Sequence, residues 1–176
     1  MPDPAASSIL QHAQRVLDTE AAALAKLARH LPPDFQAATE AMLACKGRVI
    51  VSGVGKSGHI GRKIAATFAS TGTPSYFIHA TEASHGDLGM IGPQDLCLLI
   101  SNSGETAELK DMIAHTRRFS IPMAAISSNG GSTLSKAATF KLTLPDAPEA
   151  CPIGLAPTTS TTLALALGDA LAVALM

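Results

Sequence analysis

The run Ser101-Asn102-Ser103-Gly104-Glu105-Thr106-Ala107-Glu108 leaves the apolar stretch Leu96-Cys97-Leu98-Leu99-Ile100 and enters a segment of helical periodicity. Ser101, Ser103 and Thr106, with Asn102 among them, are therefore expected around a helix N-terminus. Backbone N–H groups and the helix dipole at such an end favour a dianionic phosphate without requiring Arg or Lys. A second candidate is Gly53-Val54-Gly55-Lys56-Ser57-Gly58, which follows the β-branched run Arg48-Val49-Ile50-Val51-Ser52. It satisfies G-x-G-x-x-G in a strand–turn–helix setting. The next strand, however, ends Phe77-Ile78-His79, without the carboxylate that binds a dinucleotide's ribose. Ile50 also stands where a Walker loop has its first glycine. What remains is a tight turn with free N–H groups beside Lys56 and Ser57, a setting for an oxyanion or phosphate.

Lys56, His85, Glu108 and Glu149 are ionisable and fall in loops after different strands, so one sheet edge can gather them although they are distant in sequence. Each also has a plain structural use. Ser103 can cap a helix with Thr106 in its first turn, and Glu108 in a first helical turn is favourable without any ligand. Lys56 can be a solvated lysine on a tight turn, and His85 can tie its own loop together. Glu149, after Pro148 in an irregular loop, has no evident structural job. His79, His85 and Asp87 are a conceivable metal set, although no HxxEH-type spacing supports it.

These loops need a frame. Ile9, Val16, Leu17, Leu24 and Leu27 predict a helix from Ala5 to His30, ended by Pro32-Pro33, and a second helix runs from Asp34 to Cys45. Beyond it strands and helices alternate. Strands are expected at 48–52, 75–78, 96–100, 122–126 and 140–144, and helices at 55–71, at 105–118 and near Leu134. Such alternation implies right-handed crossovers and a three-layer, doubly wound, five-stranded parallel sheet of the flavodoxin-like or Rossmann-like kind, with extra N-terminal helices. Ligands of such sheets bind beyond the strands' carboxyl ends. Residues 1–45 are expected to pack on the sheet or on a partner subunit, and residues 46–176 to form the ligand-binding unit of a single structural domain.

Composition narrows the classes. The 176 residues can bury a core in one domain, and with 47% hydrophobic against 15% charged residues the chain is globular rather than disordered. A net charge of −1 and scattered basic residues give no nucleic-acid or acidic-membrane footprint. One tyrosine and no tryptophan leave no base-stacking platform. Cys45, Cys97 and Cys151 are odd in number and lack CxxC spacing, which fits free thiols in a reducing cytoplasm. No signal peptide is expected at the N-terminus. The apolar run from Leu163 to Met176 is short for a membrane span and contains Asp169, so a buried interface helix is expected there.

Ser-Asn-Ser-Gly-Glu-Thr at 101–106 resembles the phosphosugar loop of the sugar isomerase (SIS) domain family. Gly53 to Lys63, His85-Gly86-Asp87-Leu88-Gly89-Met90, Glu149-Ala150-Cys151-Pro152 and Gly154 to Thr162 resemble, in order, motifs of the arabinose 5-phosphate isomerases within it. The likeness covers the chain from about Cys45 to its end. It implies an aldose–ketose isomerase that interconverts D-ribulose 5-phosphate and D-arabinose 5-phosphate through an enediolate, toward the Kdo sugar of lipopolysaccharide. It further implies catalytic roles for Lys56, Glu108 and Glu149, and substrate contacts from His85, Ser57, Gly72, Thr73, His79, Ser101, Asn102, Ser103 and Thr106. His79 takes an inhibitory zinc ion by the same resemblance, no cofactor is required, and the assembly is a homotetramer or dimer. Thr158 to Thr162 are expected to cap the final helix and line the pocket. The alternative is a non-catalytic phosphosugar sensor. Isomerases of this type run on into a Ser-His-Pro-Gly-Gly motif, so the natural protein is expected to continue past Met176.

Overall fold

Val49–Gly53, Leu96–Ile100 and Met123–Ser127 are buried at every position, whereas Ser75–His79 and Phe140–Thr143 are only partly buried. Continuous burial marks strands covered on both faces, and partial burial marks edges. In the computed structural model, which describes residues 4–176 with side chains from residue 8, these are β1 (Val49–Gly53), β2 (Ser75–His79), β3 (Leu96–Ile100), β4 (Met123–Ser127) and β5 (Phe140–Thr143). They form one five-stranded sheet in the order β2-β1-β3-β4-β5, with every pair parallel. Gly53 lies level with His79 on one side and Ile100 on the other, so the loops after β1, β2 and β3 leave the sheet side by side. The chain switches direction between β1 and β3, where open α/β sheets form their crevice.

Among the described residues seven α-helices cover the sheet: α1 (Pro4–Arg29), α2 (Phe35–Ala44), α3 (Gly55–Ser70), α4 (Ala80–Ser84), α5 (Lys110–Arg118), α6 (Thr133–Ala137) and α7 (Thr159–Ala174). One face carries α1, α2, α3 and α7 against Val49, Val51, Leu98, Ile126 and Leu142. The other carries α4, α5 and α6 against Ile50, Cys97, Leu99, Met123 and Ala125. Side chains of a strand point to alternate faces, so β1 and β3 feed both layers residue by residue. Cys97 is fully buried, and burial pushes its thiol up to about 12, which leaves it inert.

The doubly wound sheet is as expected, and two local expectations need correction. The segment 105–118 does not begin as one helix. A 3-10 turn (Ala107–Leu109) precedes α5, so Ser103 and Thr106 are not a cap and a first turn of that helix. The stretch after β2, expected as the loop that carries His85, contains α4 and a 3-10 turn (Asp87–Met90), the latter tied to β2 by the Tyr76 hydroxyl donating to the Met90 carbonyl at 2.6 Å. The first helix meets the rest of the chain chiefly through its C-terminal half. Ala23 and Leu27 are buried, but Ile9, Leu10 and Leu17 remain at least 62% exposed.

Two packing contacts shape the carboxyl end of the sheet. A Cβ at Gly58 would lie 2.9 Å from the Gly53 carbonyl oxygen, so α3 starts as close to β1 as a backbone can. Farther along, α3 packs on α7 with Gly168 facing Ile64, and any side chain at 168 would overlap that isoleucine. Lys63 and Asp169 pair across the same helices.

Candidate functional site

The turn from β1 into α3 supplies an uncapped helix N-terminus. Gly55 has φ +57°, Val54 is the N-cap without a side-chain bond, and the first turn holds no acid. Its N–H groups therefore face outward unpaired by side chains, with exposed Lys56 and half-buried Ser57 beside them. That is the electrostatic half of an anion site.

The loop after β3 supplies the other half, by a different construction from the one expected. Ser101 is buried; its Oγ accepts from Gly104 N–H at 3.0 Å and shares a 2.7 Å bond with the Thr106 hydroxyl. It shapes the loop from inside. Ser103, fully at the surface, accepts from Glu105 N–H at 3.2 Å in a two-residue turn. The Asn102 carbonyl accepts from Ser128 N–H at 3.0 Å and from the Ser127 and Ser128 hydroxyls at 3.1 and 2.8 Å, which pins this loop to the one after β4. Gly104, at φ +70°, packs so tightly on Ser132 that no Cβ fits. Glu105 accepts from Thr133 N–H at 2.8 Å, and this bond above all holds its carboxyl below the usual range.

The two loops open into a narrow cleft lined by Ser57, Asn102, Ser160 and Thr161 around a floor that includes Ile60, Ile100, Ile126 and Leu144. The N-terminus of α7 closes its far side. Here the expected capping by Thr158 to Thr162 is corrected, because Thr158 makes no side-chain cap. Glu149 does the capping. Its Oε2 accepts from Thr158 N–H at 2.7 Å, the Thr158 hydroxyl at 3.0 Å and Ser160 N–H at 3.3 Å. Glu149 thus has the structural job that was not evident from its loop. Partial burial opposes its ionisation, but hydrogen bonding from Ser160 and Thr158 outweighs it, and its carboxyl is held below the usual range. The positive end of α7 is therefore already neutralised, whereas that of α3 is open to a ligand.

Because the folded value is lowered, the Glu149 cap stabilises the fold above the ordinary carboxylate pKa and loses that contribution as pH falls through the folded value. Wild type is accordingly expected to lose Tm faster than Glu149→Gln as pH drops from about 5 to about 3. Parallel Tm–pH curves would refute the assignment.

The remaining candidates sit apart. Exposed Glu108 lies on the 107–109 turn, which packs against α4, and α4 lies between His79 and exposed His85. Those three therefore share the side of the edge toward β2. His79 Nδ1 accepts from Thr81 N–H at 3.3 Å. Gly72 and Thr73 precede β2 and so lie at the amino edge of the sheet; within one chain they do not join the cleft. The trio His79, His85 and Asp87 is also corrected: among the described residues, no three His, Cys, Asp or Glu side chains are grouped to hold a metal ion. The apolar floor was invisible in sequence, since its isoleucines are ordinary core residues until the loops close above them.

A family model described as the SIS domain matches residues 42–174. The chain belongs to the SIS domain family. This SIS domain is 56% identical over 166 residues to arabinose 5-phosphate isomerase KdsD of Yersinia pestis, covering 94% of this chain and 51% of that one. It is 50% identical over 181 residues to arabinose 5-phosphate isomerase KpsF of Escherichia coli O6:H1, covering 100% and 55%. The SIS domain thus spans about half the length of the curated relatives it matches. A solved structure from E. coli CFT073, in complex with A5P, superposes with a TM-score of 0.92 at 39% identity, covering 96% of this chain and 90% of that one.

Proposed function

We propose that this chain is the sugar-phosphate domain of an isomerase that interconverts D-arabinose 5-phosphate and D-ribulose 5-phosphate in the cytoplasm, toward the Kdo sugar of lipopolysaccharide. The observation that carries this reading is the cleft at the β1/β3 switch, where the open end of α3 meets the 101–106 loop and an ionised Glu149 is bonded to the cleft residue Ser160. The names of the relatives and the A5P bound to the solved one support the substrate class. No helix among the described residues is long and apolar enough to cross a membrane.

In this reading the phosphate docks on the N–H groups at 55–57 and on the hydroxyls of Ser57, Ser103 and Thr106. A base removes the proton from C2 of the aldose, Lys56 steadies the enediolate, the O2 proton passes to O1, and the base returns its proton at C1 to give the ketose. Glu149, Glu108 and His85 are the candidates for the transfer. The chemistry needs neither metal nor organic cofactor. Zinc would inhibit by ligating the His79 imidazole in competition with the bond that Nδ1 accepts from Thr81 N–H, since a ring that accepts at Nδ1 carries its proton on Nε2. Ile9, Leu10 and Leu17 on α1 suit burial in a homotetramer or dimer.

Mixing the protein with ribulose 5-phosphate and following arabinose 5-phosphate by NMR tests the reaction. Conversion supports the isomerase; phosphosugar-dependent rise in Tm without conversion supports a sensor instead. Ser103→Ala is expected to weaken phosphosugar binding roughly tenfold by calorimetry, the loss of one hydrogen bond to a charged group.

A further inference from the structure

We propose that Thr158 is the positioning residue for Glu149, clamping one carboxylate oxygen so that the other is left free as the proton-transfer atom. The inference rests on the isomerase reading for its chemical meaning, but its geometry stands alone. Every bond to the Glu149 carboxylate arrives at Oε2, two of them from Thr158, through its N–H at 2.7 Å and its hydroxyl at 3.0 Å. No backbone or Thr158 donor reaches Oε1, and the buried Ser160 hydroxyl, which has no other partner, is the one further donor beside the carboxylate among the described residues. The Thr158 hydroxyl has no freedom to turn away, because it also accepts from Ala150 N–H at 2.9 Å and so bridges both ends of the 149–158 loop. Its carbonyl is occupied as well, by Thr162 N–H at 3.0 Å and the Thr161 hydroxyl at 2.7 Å. Each polar atom of Thr158 is thus committed, and its backbone is held at φ −130°, ψ −79°.

A carboxylate bonded through one oxygen in this way is oriented and kept ionised, while the unbonded oxygen keeps its lone pairs for substrate. Other charges around Glu149 do not substitute for Thr158. Glu149 lines a second hollow together with His12 and Arg15 of α1 and Cys151 of its own loop, and none of these bonds to it. Glu20 of α1 accepts from Thr162 instead, and α7 brings no acid in its first turn.

The test compares Thr158→Val, which deletes the hydroxyl at nearly constant shape, with Thr158→Ser, which keeps it. The Glu149 carboxyl is titrated by carbon-13 NMR, its resonance assigned by Glu149→Gln, and kcat and KM for arabinose 5-phosphate are measured against pH. In Thr158→Val the carboxyl midpoint is expected to rise, kcat to fall roughly tenfold with KM little changed, and the acidic limb of the kcat profile to move to higher pH; serine restores all three. Should the valine variant not fold, Thr158→Ala removes the same hydroxyl without the branch. A carboxyl titration identical to wild type overturns the clamp. If the titration moves but the kcat profile does not, the clamp is real and Glu149's part in the reaction is what falls.

Discussion

Gly104→Ala is expected to abolish phosphosugar binding and to lower Tm by roughly 6–12 °C. Two penalties combine at this position. Its φ of +70° is a conformation that an L side chain resists, and the new methyl would overlap Ser132. Ser132 cannot swing aside cheaply, because it is buried and its hydroxyl is bonded to the Asn129 carbonyl at 2.7 Å and to Ser135 at 3.0 Å. Backbone strain and forced overpacking together cost about 3 kcal/mol, which for a chain of this size corresponds to the stated fall in Tm. Function suffers more than stability, since the loop that would have to move also carries Ser103 and Thr106. Gly89→Ala is the control, with an ordinary φ and nothing within 4 Å of the added methyl. Calorimetry with a pentose phosphate and a thermal melt of each variant decide the matter; wild-type values for Gly104→Ala would contradict the packing described.

Glu149→Gln is expected to retain phosphosugar binding while turnover drops by roughly 10²–10⁴-fold, the usual worth of a positioned acid–base group. Glutamine keeps an oxygen that can accept from Thr158 and Ser160, so the end of α7 remains capped and only the ionisable group is lost. Glu149→Ala removes the acceptor as well and should weaken binding in addition, through the slackened loop that holds Ser160 and Thr161 at the cleft. Affinity and kcat measured for both variants separate the two roles of this side chain. Equal losses of binding and turnover in Glu149→Gln would mean that its role is structural alone.

Much of the frame was legible in the residues. Val49 to Val51 and Leu96 to Ile100 read as strands because continuous apolar runs of that length suit only positions covered on both faces. Gly53, Gly55 and Gly58 announced the turn into α3, and the close approach of Gly58 to Gly53, with the positive φ of Gly55, bears out why small residues stand there. The local detail at the site was less legible. Ser103 and Thr106 match a helix start in pattern, yet the internal bond between Ser101 and Thr106 draws the chain into a loop first and delays α5 to Lys110. Glu149 looked idle because its partners lie nine and eleven residues downstream, beyond the reach of any local rule. Lone glycines such as Gly168 carry no signal at all until a second helix is laid across them.

That last residue governs more than packing. Ile60 and Ala164 border the cleft one turn before Ile64 and Gly168, on the same two helices. The width of the opening is thus a lever whose fulcrum lies behind it, at a position no ligand reaches. A bulkier residue at 168 would splay the pair and carry Ser57 away from Ser160 and Thr161 on the facing helix, so the girth of the opening can be retuned from the rear of the molecule.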